Sequence, residues 1–167
     1  MNYCHYASAL GQLLLTEEGG FLVGLRMEGA VPENACRRET PVLVQTENWL
    51  ERYFRGENPP MNLPLAPEGT AFQRRVWDSL LTIPYGETRT YGEIAKLLGT
   101  GKMSAQAVGG AVGRNPIGIV IPCHRVVGVG GRLTGYAWGL DRKAWLLRHA
   151  QQQVGGTTCP PYMGGCF

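Results

Sequence analysis

No apolar run in the 167-residue chain approaches the ~20 residues that a bilayer-spanning helix requires. Residues 1–10 lack the basic stretch and long apolar segment of a secretory signal. The expectation is a cytoplasmic protein with no membrane partner. A disulfide framework is missing as well. The five cysteines, Cys4, Cys36, Cys123, Cys159 and Cys166, are odd in number and irregular in spacing. Without an export signal they read as reduced thiols, at least one of them a candidate for reactivity. Metal-ligand spacing is poorly represented. Cys4, His5 and Cys36 could contribute to a zinc site, but no fourth ligand is evident, and free thiols are the competing reading. Neither glycine-rich stretch has the phosphate-loop pattern of a nucleotide enzyme. No metal and no other cofactor is therefore expected. A hydrophobic fraction of 44% and a charged fraction of 17% exclude a disordered chain and suit one good core, or two small ones joined by a linker.

The net charge of +3 conceals an asymmetry. Residues 1–68 carry 5 Lys/Arg and 9 Asp/Glu, whereas residues 69–150 carry 11 Lys/Arg and 4 Asp/Glu; residues 151–167 have no charged side chain. A locally basic half suits a polyanionic partner. The same boundaries divide the chain into a first domain with its linker (1–68), a second domain (69–150) and an irregular tail (151–167). The linker is the segment 58–69, with four prolines.

Local patterns fill in this division. Apolar stretches at 13–16 and 21–26 flank Glu17-Glu18-Gly19-Gly20 and predict a hairpin. A helix is expected to contain 47–55, with Trp49, Leu50, Tyr53 and Phe54 on its apolar side and Gly56 ending it. Thr70-Ala71-Phe72-Gln73 has the spacing of a capping box, followed by Phe72, Val76 and Leu80 on one side, broadened by Trp77 and Leu81. The start signal recurs as Thr90-Tyr91-Gly92-Glu93, with Ile94, Leu97 and Leu98 expected to pack and Gly99 to stop the helix. A third helix can begin at Ser104 and reach the boundary at Asn115-Pro116. Two short helices with a glycine-containing connection resemble a helix-turn-helix arrangement. That third helix, Ala105-Gln106-Ala107-Val108-Gly109-Gly110-Ala111-Val112, has only one long polar side chain. It cannot read a major groove in the usual way; its small residues suit either close approach to DNA or buried packing. Farther on, Asp141 is placed to cap a helix over 142–151, with Trp145 and His149 one turn apart.

The segment Asn115-Pro116-Ile117-Gly118-Ile119-Val120-Ile121-Pro122-Cys123-His124-Arg125-Val126-Val127 stands out for chemistry. Residues 117–121 are apolar enough for a buried strand or extended segment that delivers Cys123 at its end. Thiolate is the nucleophilic form of cysteine, and a neighbouring base or cation increases its availability. Composition alone leaves a structural cysteine beside a surface histidine as an equal reading.

Taken with Phe72-Gln73-Arg74-Arg75-Val76-Trp77, Ile83-Pro84-Tyr85-Gly86, Thr90-Tyr91-Gly92, Ala107-Val108-Gly109-Gly110-Ala111, Gly135-Tyr136 and Arg142-Lys143-Ala144-Trp145-Leu146-Leu147, this segment resembles the O6-alkylguanine-DNA alkyltransferases, also called methylated-DNA–protein-cysteine methyltransferases. The resemblance extends to about residue 150. It implies a small N-terminal α/β domain followed by a mostly helical, winged-helix-like DNA-binding domain with a helix-turn-helix variant. The implied activity is direct, irreversible transfer of an alkyl group from O6-alkylguanine to the protein's own cysteine after base flipping, with O4-alkylthymine a second candidate substrate. The implied partner is duplex DNA bound through the minor groove, by a monomer.

By the same resemblance Cys123 is the alkyl acceptor, His124 its water-linked base, Tyr91 the proton donor to the leaving guanine and Asn115 an organiser of the cysteine region. Val126, Val127, Tyr136, Ala137 and Lys143 would line or support the guanine pocket. Ala105, Gln106, Ala107, Gly109, Gly110, Arg114 and Arg125 would meet DNA, and Arg74, Arg75, Arg89, Lys96, Lys102 and Arg132 are further candidates for phosphate contact. Trp77 and Trp145 read as core anchors. Two positions depart from the family pattern. Gln106 stands where an arginine usually enters the base stack. Ala150 stands where a glutamate usually orients the histidine. The alternative function that these departures keep open is a lesion-binding protein with little or no transfer.

Overall fold

The computed structural model describes residues 1–99 and 105–153, so the expectations for Ser104, Lys102, Cys159, Cys166 and residues 154–167 lie outside it. Two compact units result. Met1–Glu68 and Pro116–Val120 form the first, and Gly69–Asn115 with the chain from Ile121 onward forms the second. The division is not a single cut: five residues preceding the Cys123 segment belong to the first unit.

In the first unit, β1 (Asn2–Ser8), β2 (Gly11–Glu18), β3 (Phe21–Met27) and the short β4 (Cys36–Arg37) form a sheet in the order β3-β2-β1-β4. The β1–β2 and β2–β3 pairs are antiparallel, while β4 runs parallel to β1. β2 is internal, and Leu13, Leu14 and Leu15 are all inaccessible, so both faces of this strand are covered. The predicted hairpin is β2–β3. Its Gly19 and Gly20 have φ of 60° and 88°, the left-handed geometry that tight hairpins need and that glycine adopts without strain. β1 went unassigned in the sequence because its residues are mostly half-buried and lack clean alternation.

Helix α1 (Pro41–Phe54) packs against β1, β2 and β3. It contains the expected residues from 47 to 54, with Arg55 as its C-cap, and starts six residues before 47. Thr40 is the cap, accepting the Leu43 N–H at 3.3 Å, and Pro41 occupies the first helical position, where a missing N–H costs nothing. The proline-rich linker is not free chain. The Leu22 N–H donates to the Pro64 carbonyl at 2.8 Å and the Ala66 N–H to the Leu22 carbonyl at 2.9 Å, so this stretch borders β3.

The second unit is mostly helical: α2 (Ala71–Leu80), the two-residue β5 (Arg89–Thr90), α3 (Tyr91–Leu97), α4 (Ala105–Gly113), the two-residue β6 (Val126–Val127) and α5 (Leu140–Gln153). β5 and β6 pair in parallel. Both bonds of the capping box at α2 form, Gln73 N–H to Thr70 Oγ1 at 3.1 Å and Thr70 N–H to Gln73 Oε1 at 2.9 Å. Trp77 is buried and donates its indole N–H to the Ala111 carbonyl at 2.9 Å, which ties α2 to α4. Leu81 and Leu97, expected to pack, are instead 38% and 63% exposed; of the α3 apolar residues only Ile94 is buried. α5 begins one residue before Asp141 and continues to Gln153, which puts 151–153 in a helix rather than in an irregular tail.

Residues 117–121 are buried as expected, but instead of a strand or an extended segment they form a single bridge at Ile117 and then a turn. The Leu25 N–H donates to the Pro116 carbonyl and the Gly118 N–H to the Leu25 carbonyl, both at 2.9 Å, and the chain then bends twice. The Val120 N–H bonds the Gly118 carbonyl at 2.7 Å across Ile119, whose φ is 65°; the Cys123 N–H bonds the Ile121 carbonyl at 2.7 Å across Pro122, with φ −80° and ψ 64°. These are a γ-turn of the rare hand followed by one of the common hand. A buried β-branched residue in the left-handed region costs on the order of 1–3 kcal/mol, and the surrounding packing has to impose it.

The capping box generates a direct stability prediction. Thr70→Ala removes one bond of the pair and lowers the urea midpoint by the equivalent of about 1 kcal/mol, with an unchanged slope.

Candidate active site

Cys123 begins a single helical turn, Cys123–Arg125, immediately after the second γ-turn, and α2 and α5 pack against that turn. The sulfur is buried, with 7% of the residue accessible. Asn115, at the end of the loop that follows α4, donates its side-chain amide to the Ile121 carbonyl at 2.8 Å and also hydrogen-bonds the sulfur. Tyr136 also acts on the sulfur, in the direction that favours its ionised form. Asn115, Cys123 and Tyr136 thus meet although 21 residues separate the first from the last.

Lys143 on α5 is inaccessible to solvent, and its ammonium donates to two main-chain carbonyls, Val126 at 2.6 Å and Thr134 at 2.9 Å. Tyr91, the first residue of α3, shares the second of these acceptors: its hydroxyl donates to the Thr134 carbonyl at 3.4 Å and lies 3.4 Å from Thr134 Oγ1. Thr134 therefore joins the proposed proton donor to the buried lysine. The sequence offered no signal for it, because the joining group is a carbonyl that every residue has. Val126 and Val127 are buried beneath this group, whereas Ala137 is exposed.

The electrostatics follow from burial. Desolvation pushes the Cys123 thiol above its ordinary range; Asn115, the Lys143 charge, the local main chain and Tyr136 each act in the opposite direction. His124 is fully buried, and among the described residues neither ring nitrogen has a hydrogen-bond partner. Burial first, then the Arg125 and Lys143 charges, hold its imidazole well below its usual value, so it is neutral at pH 7. Lys143 is brought down to about 8 by burial, an effect that Cys123 opposes. Ala150 is buried on α5 and supplies no acceptor for the imidazole.

The exposed residues of this unit sort the remaining expectations. On α4, Val108, Ala111 and Val112 face the core, while Ala105, Gln106, Ala107 and Gly110 are exposed, so the small-residue composition serves both packing and an open face. Gly109 lies against Tyr91: a Cβ built there would sit 3.7 Å from two ring carbons. Arg114, Arg74, Lys96 and Arg132 are exposed. Arg75 is exposed too but donates to the Leu98 carbonyl at 3.1 Å, and Arg89 bonds Glu87 and the Thr88 carbonyl. Arg125, expected at DNA, is committed within the unit. Its guanidinium donates to the Ile83 carbonyl at 2.9 Å and lies 5.5 Å from the centroid of the Tyr85 ring. Tyr85 belongs to a motif noted in the sequence, but its partnership with Arg125 was not foreseen. Trp145 is only half-buried and stacks on His149, ring centroids 4.8 Å apart. Cys4 is buried and donates to Glu47 at 3.4 Å, while Cys36 is exposed on β4; among the described residues no group of three or more His, Cys, Asp or Glu could hold a metal ion. Nor is any described helix long and apolar enough to cross a membrane.

Comparison with known proteins bears on the whole described chain. Residues 1–67 match the family model of the 6-O-methylguanine DNA methyltransferase ribonuclease-like domain, and residues 71–152 match that of the 6-O-methylguanine DNA methyltransferase DNA-binding domain. The chain is 49% identical over 154 residues to a methylated-DNA–protein-cysteine methyltransferase of Methanosarcina acetivorans, covering 89% of this chain and 97% of the relative. It is 44% identical over 156 residues to the protein of the same name from Mycobacterium leprae, covering 88% and 90%. The crystal structure of Mycobacterium tuberculosis OGT in complex with DNA superposes with a TM-score of 0.83 at 43% identity, over 92% of this chain and 94% of that one. With both domains matched and relatives this similar along nearly their full length, the chain belongs to the 6-O-methylguanine DNA methyltransferase family.

Proposed function

We propose that this protein repairs alkylated DNA by moving the alkyl group from O6-alkylguanine onto Cys123. The observation that carries the reading is the environment of the sulfur: a buried thiol, in the unit that matches the family's DNA-binding domain, with Asn115, Tyr136 and Lys143 all favouring its ionised form. The sulfur lone pair forms an S–C bond to the alkyl carbon, the C–O6 bond breaks, and its electron pair leaves on the guanine. A proton given to the base by the Tyr91 hydroxyl neutralises that charge. His124, uncharged, is the adjacent group through which the thiol proton departs. The thioether is a poor leaving group, so the protein acts once.

DNA enters this reading as a duplex held through its minor groove by one copy of the chain. The exposed face of α4 supports it, because Ala105, Ala107 and Gly110 let a backbone approach closely while Gln106 fills the space left by an extruded base. Flipping costs a few kcal/mol, less at a weakened lesion pair. Val126, Val127, Tyr136, Ala137 and Lys143 are assigned to the receiving pocket, and Arg114 to phosphate contact. O4-alkylthymine is a second candidate substrate of the same pocket.

Incubation with an O6-methylguanine duplex is expected to raise the intact protein mass by about one methylene, an increase absent in Cys123→Ala. Tight lesion binding with no mass change would instead identify a lesion-binding protein. Gln106→Arg, which restores a cationic fork, is expected to speed single-turnover repair of duplex substrate on the order of tenfold and to leave repair of the free base unchanged. Ala150→Glu is expected to raise the transfer rate at pH 7 by roughly tenfold, because a carboxylate beside the imidazole favours its protonated form; an unchanged rate in a folded variant would count against a role for His124 as the charged partner.

A further inference from the structure

We infer that Arg125 is a positioning residue for alkyl transfer: its guanidinium fixes the turn that carries Cys123 against the segment that leads to Tyr91. This deepens the transfer reading and rests on it. Transfer needs two groups at once, a sulfur in line with the alkyl carbon and a proton for the departing base. They come from different parts of the chain. Cys123 opens the one-turn helix Cys123–Arg125, and Tyr91 is the first residue of α3. Residues 83–90 join the two, and they are tied to the cysteine segment at two places.

The first tie is main chain. β5 and β6 pair in parallel, with Arg89 opposite Val126 and Thr90 opposite Val127. Val126 directly follows the cysteine turn, while Thr90 precedes Tyr91 and caps α3, accepting the Glu93 N–H at 3.1 Å. A ladder of two residues a side is marginal by itself. The second tie is the Arg125 side chain. Its guanidinium donates to the Ile83 carbonyl at 2.9 Å and lies 5.5 Å from the centroid of the Tyr85 ring. One side chain thus holds a carbonyl and a ring from the same short stretch, which the planar, forked guanidinium suits. From Tyr85 the chain turns, with the Glu87 N–H on the Pro84 carbonyl at 3.0 Å, and enters β5. Gln151 of α5 donates to the Gly86 carbonyl at 2.5 Å, so the same turn is held from a second side.

Arg125 leaves the turn two residues after Cys123. The Arg125 N–H closes that turn on the Pro122 carbonyl at 3.0 Å, and the side chain then fixes which way the turn faces. The sequence suggested a phosphate contact for this arginine. Its bond to Ile83 and its place over Tyr85 give it work within the unit instead.

Two reactions of the same sulfur separate positioning from general support. Transfer from the free base O6-methylguanine needs a proton on the leaving group, whereas iodoacetamide loses iodide without one. Neither reagent carries a phosphate. Both rates are read at Cys123 by peptide mass, and their ratio within one protein cancels any change in thiolate supply. Arg125→Met is expected to lower the free-base rate relative to the iodoacetamide rate by about tenfold or more. Arg125→Lys, which keeps the charge and a donor without the plane, is expected to recover part of that loss. Tyr91→Phe is the reference and lowers the ratio in the same sense.

A wild-type ratio in Arg125→Met beside a lowered one in Tyr91→Phe overturns the inference alone. The same holds for a loss seen with duplex substrate and not with the free base, which would make Arg125 a phosphate contact. A wild type inert toward both O6-methylguanine substrates, or a Tyr91→Phe with the wild-type ratio, overturns the transfer reading and the inference with it. Should Arg125→Met fail to fold, Arg125→Lys and Tyr85→Leu decide: each weakens one of the two contacts and is expected to lower the ratio by less. A wild-type ratio in both overturns the inference.

Discussion

Burying a thiol that must become an anion is the constraint on which the second unit depends. Enclosure excludes water from the alkyl carbon and strengthens every dipole and charge that faces the sulfur, but it also penalises the thiolate. The structure places Asn115, Tyr136 and Lys143 around Cys123 from three separate parts of the chain, and each opposes that penalty. Together they do not overcome it: the thiol remains above its ordinary range. A nucleophile kept protonated until a substrate arrives is protected from oxidation and from adventitious electrophiles, which matters for a protein that reacts once.

The main chain does as much as the side chains. Thr134 offers one carbonyl to both Tyr91 and Lys143, so the residue proposed to protonate the leaving base and the buried lysine share an acceptor. Gly109 of α4 lies against the Tyr91 ring, which connects the exposed face of that helix to the same group. Two γ-turns precede Cys123, the first of them with a left-handed Ile119. That strain is borne where the chain belongs to the first unit and is pinned by two backbone bonds to Leu25.

Gln106 and Ala150 show how one family framework carries altered electrostatics. Gln106 is exposed on α4 and, in the proposed reading, has the length to fill a gap in stacked bases without a positive charge. Ala150 is buried and uncharged, and burial of His124 together with the Arg125 and Lys143 charges favours the neutral form of its imidazole. The nucleophile is retained through both departures, as are Asn115, Tyr136 and Lys143 around it.

Much of this was legible in the chain itself. The hairpin was marked by Gly19-Gly20, α2 by its capping box and α3 by Thr90, because these are local rules with few solutions. The Pro122-Cys123-His124-Arg125 motif disclosed the family, and it carries the proposed nucleophile. The start of α1 was also marked, by Thr40-Pro41, although the reading began at the apolar face farther on. What only the tertiary structure decided are the matters of distance and exposure: Thr134 as a shared acceptor, Arg125 turned onto Tyr85, Leu97 left outside, and the bend that replaces a strand at 117–121. Local sequence cannot specify these, because a carbonyl has no sequence signature and the burial of an ionisable group is set by residues tens of positions away.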